Sequence, residues 1–119
     1  MLMKHLTLIV IVFFIVLNVS GQYRNVASTS ELASIINEKY PDSLSKISAA
    51  YAWVTSNIRY SNKGIFAMNN SINPRDEIDM AFKNRSGVCE NFAAIFTDLC
   101  RKMGFRSEVI HGYANHNDN

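Results

Sequence analysis

The sequence carries no strong excess of charge of either sign, and it has no internal repeats or low-complexity tracts. Among its 119 residues, 12 Lys and Arg stand against 10 Asp and Glu, a formal net charge of +2. This balance gives no electrostatic reason for binding to nucleic acid or to an anionic membrane surface. We therefore expect one small globular domain with a modest core and no nucleic-acid partner.

A long apolar run is also missing. The longest run, residues 6–17, is shorter than the roughly 20 residues that cross a bilayer. Lys4 and His5 precede it, and Val19-Ser20-Gly21 follows with the small residues that a signal peptidase reads. We predict a cleaved signal peptide over residues 1–21 and therefore an exported protein, periplasmic or extracellular, without a membrane anchor after cleavage. An uncleaved N-terminal anchor is the alternative.

Cysteine is scarce, with only Cys89 and Cys100. One disulfide is the default expectation for an exported chain with two cysteines. These two lie 11 residues apart on one predicted helix, which separates them by about 16 Å of helix rise. A disulfide needs Cα atoms within about 7 Å of each other, so we predict two free thiols.

Helix signals follow one another after the signal peptide. Residues 22–41 form an N-terminal helical segment, in which Ser28 and Glu31 have capping-box spacing and Pro41 ends a helix over residues 29–40. A second helix, capped by Asp42 or Ser43, extends to about residue 57. Its apolar residues recur at helical spacing, which predicts the buried side: Leu44, Ile47, Tyr51, Val54 and Ile58, flanked by Ala50 and Trp53.

Residues 59–74 show no periodicity and predict a loop. A third helix follows over residues 75–84, with Pro74 at its start. Asp76, Glu77 and Asp79 crowd this start, where the helix dipole favours negative charge. We interpret them as a solvated helix terminus and predict neither a metal site nor another cofactor.

A fourth helix is predicted to begin at Cys89 and to end before Gly104. Residues 105–113 predict a strand, and the polar residues 114–119 predict a tail. One face of the fourth helix is apolar: Phe92, Ile95, Phe96, Leu99 and Met103.

Cys89 stands in the first turn of this helix, where unpaired N–H groups and the helix dipole stabilise a thiolate. Gly87 allows a tight turn before it. Arg85 adds positive potential that favours a thiolate at Cys89, whereas the neighbouring Glu90 carboxylate disfavours it. On these features alone Cys89 is either a nucleophile or a small buried residue. Cys100 lies among apolar side chains in mid-helix and is interpreted as core.

The ordered residues around Cys89 resemble the transglutaminase-like superfamily. Its pattern of Gly-Val-Cys, an aromatic residue and Ala, a helix ending in Gly, and a strand ending in Gly-Tyr is similar to four stretches here. They are Gly87-Val88-Cys89-Glu90-Asn91-Phe92-Ala93, Leu99-Cys100, Gly104-Phe105 and Val109-Ile110-His111-Gly112-Tyr113. Upstream, Ile58-Arg59-Tyr60 resembles the family's Ile-x-Tyr, so that the resemblance covers residues 44–113.

The resemblance implies an α+β, papain-like transglutaminase core. Of this core the chain would hold the N-terminal helical part plus the first strand only, as a partial domain over residues 42–113. It also implies Cys89 as catalytic nucleophile, acting on amide groups of a peptide or protein substrate. The shared chemistry is thiolate attack on an amide carbonyl, a thioester intermediate, and release to an amine or to water.

The chain departs from the family after Tyr113, where the family's catalytic His and Asp are expected on further strands. No His-x-Trp follows, and the sequence ends at Asn119. His111 lies one strand too early and is expected to face solvent, and His116 lies in the polar tail. We expect this chain to be part of a longer thiol enzyme and inactive as it stands. The alternative is a non-catalytic module that binds peptide or cell-surface partners.

Overall fold

In the part of the chain that the structure describes, four helices and one pair of short strands pack together, apart from a helical segment at residues 2–7. The computed structural model describes residues 2–7, 25–61 and 73–112. The helices are α1 (Thr29–Lys39), α2 (Ser43–Asn57), α3 (Pro74–Asn84) and α4 (Cys89–Lys102). Strands β1 (Arg59–Tyr60) and β2 (Ser86–Gly87) pair in parallel. This confirms the predicted α+β class.

Residue 1 and three longer stretches lie outside the described residues: 8–24, 62–72 and 113–119. They include most of the predicted signal peptide, the centre of the predicted loop and the polar tail with His116. Residues 2–7 are helical and exposed. Over the described ranges, no helix combines the length and apolar character needed to cross a membrane.

The start of α1 confirms the predicted capping box. The Ser28 hydroxyl oxygen accepts a hydrogen bond from the Glu31 N–H at 3.2 Å. In return, the Glu31 carboxylate accepts from the Ala27 N–H at 2.8 Å, one residue earlier than the usual partner. These two bonds fix the direction in which the chain enters α1, which buries Leu32, Ala33 and Ile36.

Helix α2 starts as predicted, because the Asp42 side chain caps it through the Ser45 N–H. The predicted buried stripe is wrong at two positions, since Leu44 is 76% exposed and Tyr51 is 61% exposed. The buried side of α2 instead centres on Trp53, and the Trp53 ring stacks on the Phe82 ring with 4.9 Å between their centres. Burying this large ring decides which face of α2 is covered. The buried residues of α2 are Ala50, Trp53 and Val54.

Strand β1 lies in the predicted loop, and β2 lies at the glycine turn predicted before α4. Arg59 and Tyr60 pair with Ser86 and Gly87, and the Ser61 N–H donates to the Gly87 carbonyl at 2.9 Å. A strand of two residues is too short to show an alternating pattern, which explains why periodicity did not reveal it. The pairing places the end of α2 beside the turn that precedes α4.

Helix α4 is the central element, because it contacts α1, α2 and α3. It begins at Cys89 and gives way at Gly104, as predicted. Gly104 has a φ of +95°, which a glycine adopts without strain. The Gly104 N–H donates to Arg101 and the Phe105 N–H to Cys100, the two bonds of a Schellman motif. The buried residues of α4 include Ile95, Leu99 and Cys100.

The strand predicted over residues 105–113 is not formed in the described part of the chain. Residues 105–112 have no ladder partner there, and Ile110 is 92% exposed. A strand is defined by its hydrogen-bonded neighbour, and a stretch with apolar residues at its centre does not by itself supply one.

Candidate functional site

Cys89 is the first residue of α4, and its side chain is exposed. The helix follows directly from extended backbone at Val88, with φ −100° and ψ 179°. Valine has no side-chain acceptor, so it makes no cap hydrogen bond to the first-turn N–H groups. The thiol is thus accessible at the positive end of the central helix dipole.

Asn91 shapes the turn before Cys89, a role that was not predicted from the sequence. Its Oδ1 accepts a hydrogen bond from the Val88 N–H at 2.9 Å. Its Nδ2 donates to Glu77 Oε1 at 3.3 Å. Asn91 is the third residue of α4, the position from which a capping-box side chain reaches back to the cap N–H. Its position in the first turn was the signal that could have found it.

Gly87 allows this turn to approach Asn91 closely. A Cβ at position 87 would lie 2.6 Å from Asn91 Cβ and 2.7 Å from Asn91 Oδ1. Real Cβ atoms essentially never come so near a neighbour. The glycine predicted to permit a tight turn is therefore required by the packing of one buried side chain.

Arg85 contributes to the core beside the turn. Its guanidinium lies 4.4 Å from the Phe82 ring centre and 4.7 Å from that of Trp53. It donates to the Val26 carbonyl at 2.6 Å and to the Phe82 carbonyl at 2.8 Å. Burial lowers the pKa of Arg85, which remains charged because its ordinary value is so high. The side chain thus ties the segment before α1 to the end of α3.

Aromatic rings flank the side of α4 on which Cys89 lies. Phe92 and Phe96 follow Cys89 at helical spacing and are half-buried. The Tyr60 ring centre is 6.5 Å from that of Phe92, and Tyr51 meets Phe96 edge-to-face at 6.1 Å. Tyr51 was predicted as core, and the structure instead places it at the exposed edge of this aromatic side.

The other candidate residues, Cys100 and His111, differ from Cys89 in burial or in position. Cys100 is 4% exposed, and desolvation raises the pKa of its thiol. Both cysteines are free, as predicted. His111 is exposed. Among residues 2–7, 25–61 and 73–112, no group of three or more His, Cys, Asp or Glu side chains could hold a metal ion.

An exposed cysteine at the start of a central helix, after a glycine turn held by a buried amide, defines a thiol-bearing α+β domain. The sequence profile described as "Transglutaminase-like superfamily" matches residues 30–119. The chain therefore belongs to the transglutaminase-like superfamily, which confirms the resemblance seen in the residues around Cys89. Searches of curated proteins and of solved structures find no match.

Proposed function

We propose that Cys89 is the nucleophile of a transglutaminase-like reaction on amide groups of a peptide or protein. The observation that supports this is the exposed thiol at the start of α4, in a chain of this superfamily. A cysteine sulfur is intrinsically a strong nucleophile, and this one is accessible at the first turn of the helix. Gly87 allows the backbone before the first turn to pack against the buried Asn91 side chain.

The reaction has two halves. In the proposed reaction the Cys89 sulfur attacks the amide carbonyl carbon. The tetrahedral intermediate carries negative charge on oxygen, which backbone N–H donors such as those of the first turn would stabilise. The carbon–nitrogen bond breaks, the amine leaves with a proton, and a thioester remains. An amine or water then attacks the thioester carbonyl and releases the thiol. Proton transfer to and from nitrogen needs a general acid–base group, which the superfamily resemblance assigns to a histidine beyond Tyr113.

We propose further that the protein acts outside the cytoplasm, after removal of residues 1–21. The support is the order of the sequence there: Lys4 and His5, the apolar run, and then Val19-Ser20-Gly21. Free thiols in such a compartment need burial or a function. Cys100 is buried, and the exposed Cys89 is the thiol for which a function is proposed.

The nucleophile is tested by acylation. In a Cys100→Ala background, the protein is treated near neutral pH with p-nitrophenyl acetate and, separately, with iodoacetamide. We expect an acetyl adduct on Cys89, and alkylation faster than that of the same thiol in urea. Cys89→Ala is expected to remove both adducts while circular dichroism stays unchanged.

Two results would contradict the proposal. One is alkylation in the folded protein that is no faster than in the unfolded chain. The other is a full-length protein of this locus, with any downstream strands, whose activity on amide substrates survives Cys89→Ala. Survival of a peptide-binding function in that variant would favour the non-catalytic module instead.

A further inference from the structure

Asn91 is a buried polar side chain in the first turn of α4. It is 3% exposed. An amide moved out of water must have its hydrogen bonds satisfied, or it destabilises the fold. Both ends of this amide are used, by the Val88 N–H and by the Glu77 carboxylate. Filling space in the core would not by itself require a side chain with two specific partners.

The bond to Val88 acts on the residue directly before Cys89. It holds the Val88 N–H at 2.9 Å from Asn91 Oδ1. The Gly87 Cα packs so closely against Asn91 that no Cβ fits between them. The backbone of this turn therefore cannot shift unless Asn91 shifts as well. Since α4 starts from Val88, the same contacts hold the backbone from which the Cys89 side chain and the first-turn N–H groups extend.

Glu77 sets which way the Asn91 amide faces. A carboxylate only accepts hydrogen bonds, so Glu77 selects the NH₂ end of the amide. The carbonyl end is then turned towards the Val88 N–H. The reversed amide would place its oxygen against the carboxylate and its NH₂ against another donor. Glu77 stands in the first half of α3, so this contact links the start of α3 to the start of α4.

We infer that Asn91 and Glu77 form a positioning pair that holds the turn before Cys89 in the geometry its chemistry requires. The inference rests on the proposed role of Cys89 as nucleophile. We expect loss of the pair to slow the alkylation of Cys89 by more than the accompanying loss of folding stability can explain. Where the reacting partner is held in a site, misplacing a group by about 1 Å can cost up to about 100-fold in rate. For a freely diffusing reagent we expect a smaller effect, about tenfold, on loss of the turn geometry.

The test measures iodoacetamide alkylation of Cys89 in folded, full-length protein, in a Cys100→Ala background, with each adduct assigned by mass spectrometry. Asn91→Ala removes both bonds and is expected to slow alkylation about tenfold. Glu77→Gln keeps an acceptor for Asn91 and is expected to stay near the parent rate. Asn91→Asp keeps the acceptor for Val88 but sets two carboxylates against each other, and is expected to be slow.

The decisive variant combines Glu77→Gln with Asn91→Asp. The glutamine NH₂ then donates to the new carboxylate, whose other oxygen accepts from the Val88 N–H, so the rate is expected to return to within about twofold of the parent. The rescue compares two variants that share the Asn91→Asp substitution, and it therefore remains a valid test even where Asn91→Ala fails to fold. A double variant as slow as Asn91→Asp alone would overturn the inference.

Asn73→Ala is the matched structural control. Asn73 caps α3 through the Arg75 N–H at 3.1 Å, so its loss weakens the same helix without removing a bond to Val88. We expect an unchanged alkylation rate, and an equal slowing in this control would overturn the inference. Failure of the proposed function is distinct, because it appears in the parent protein as a folded rate no faster than the unfolded one.

Discussion

Gly87→Ala is the sharpest single perturbation of the turn before Cys89. The added methyl would lie 2.6 Å from Asn91 Cβ, about 0.8 Å short of the 3.4 Å at which ordinary contacts begin. The nearest atom is the base of a side chain, so a rotation of its far end does not relieve the clash. Asn91 itself is held by Val88 on one side and by Glu77 on the other.

The expected loss of stability follows from what has to move. Overpacking a closely packed site costs about 1–3 kcal/mol. If Asn91 moves away, the Val88 N–H loses its acceptor, which costs about 1–3 kcal/mol when the group stays buried. The protein adopts the response of lower free energy, so we expect Gly87→Ala to lower the free energy of unfolding by about 2 kcal/mol.

Urea denaturation followed by circular dichroism measures this loss. Gly112→Ala is the matched control, because a Cβ there meets nothing within 4 Å, and no loss is expected. Asn91→Gly removes the clashing Cβ, so the double variant is expected to be more stable than the sum of the single losses predicts. A Gly87→Ala loss below about 0.5 kcal/mol, or strict additivity in the double variant, would refute the reasoning.

Three further outcomes are expected. Leu99→Ala empties a fully buried site in α4 and should cost about 2–5 kcal/mol in urea denaturation, with a loss below about 1 kcal/mol contradicting the assigned core. Hydrogen bonds from Ser45 lower the pKa of Asp42 below its ordinary value, so its contribution to stability should be present above about pH 4 and lost as the pH falls further; Asp42→Asn should show less acid loss in denaturation across this range. Burial raises the pKa of Cys100, so stability should decline once the pH rises above about 8.5, where the unfolded thiol ionises first; a Cys100→Ala profile with the same alkaline slope would contradict this.

The ends of α4 were predictable because local chemistry determines them. A glycine turn and Cys89 mark its beginning, and Gly104 marks its end through a positive φ. The capping residues Ser28 and Asp42 likewise located α1 and α2. Signals of this kind depend on a few neighbouring residues, which the sequence displays directly.

The sequence predictions were wrong where contacts with residues distant in the sequence determine the structure. The buried side of α2 depends on the partner ring of Phe82, which lies on α3, so spacing alone assigned Leu44 and Tyr51 to the wrong environment. Strand β1 exists through its pairing with β2, which no local pattern displays. The position of Cys89 at the helix start was predicted correctly. The bond from Asn91 to Val88 is local and could have been inferred, whereas its bond to Glu77 could not, because Glu77 comes from another helix.

The parallel pairing of β1 with β2 makes the surroundings of Cys89 depend on a contact between residues far apart in the sequence. Residues 59–60 and 86–87 meet only when the intervening chain, with α3 in it, has closed on itself. Closing such a loop carries an entropy cost before its contacts form. A peptide holding only α4 and its preceding turn therefore lacks the partner strand. The Arg59 and Ser61 N–H groups donate to the Arg85 and Gly87 carbonyls. The rate of amide hydrogen exchange at these two residues therefore reports on the assembly of the turn that presents the thiol.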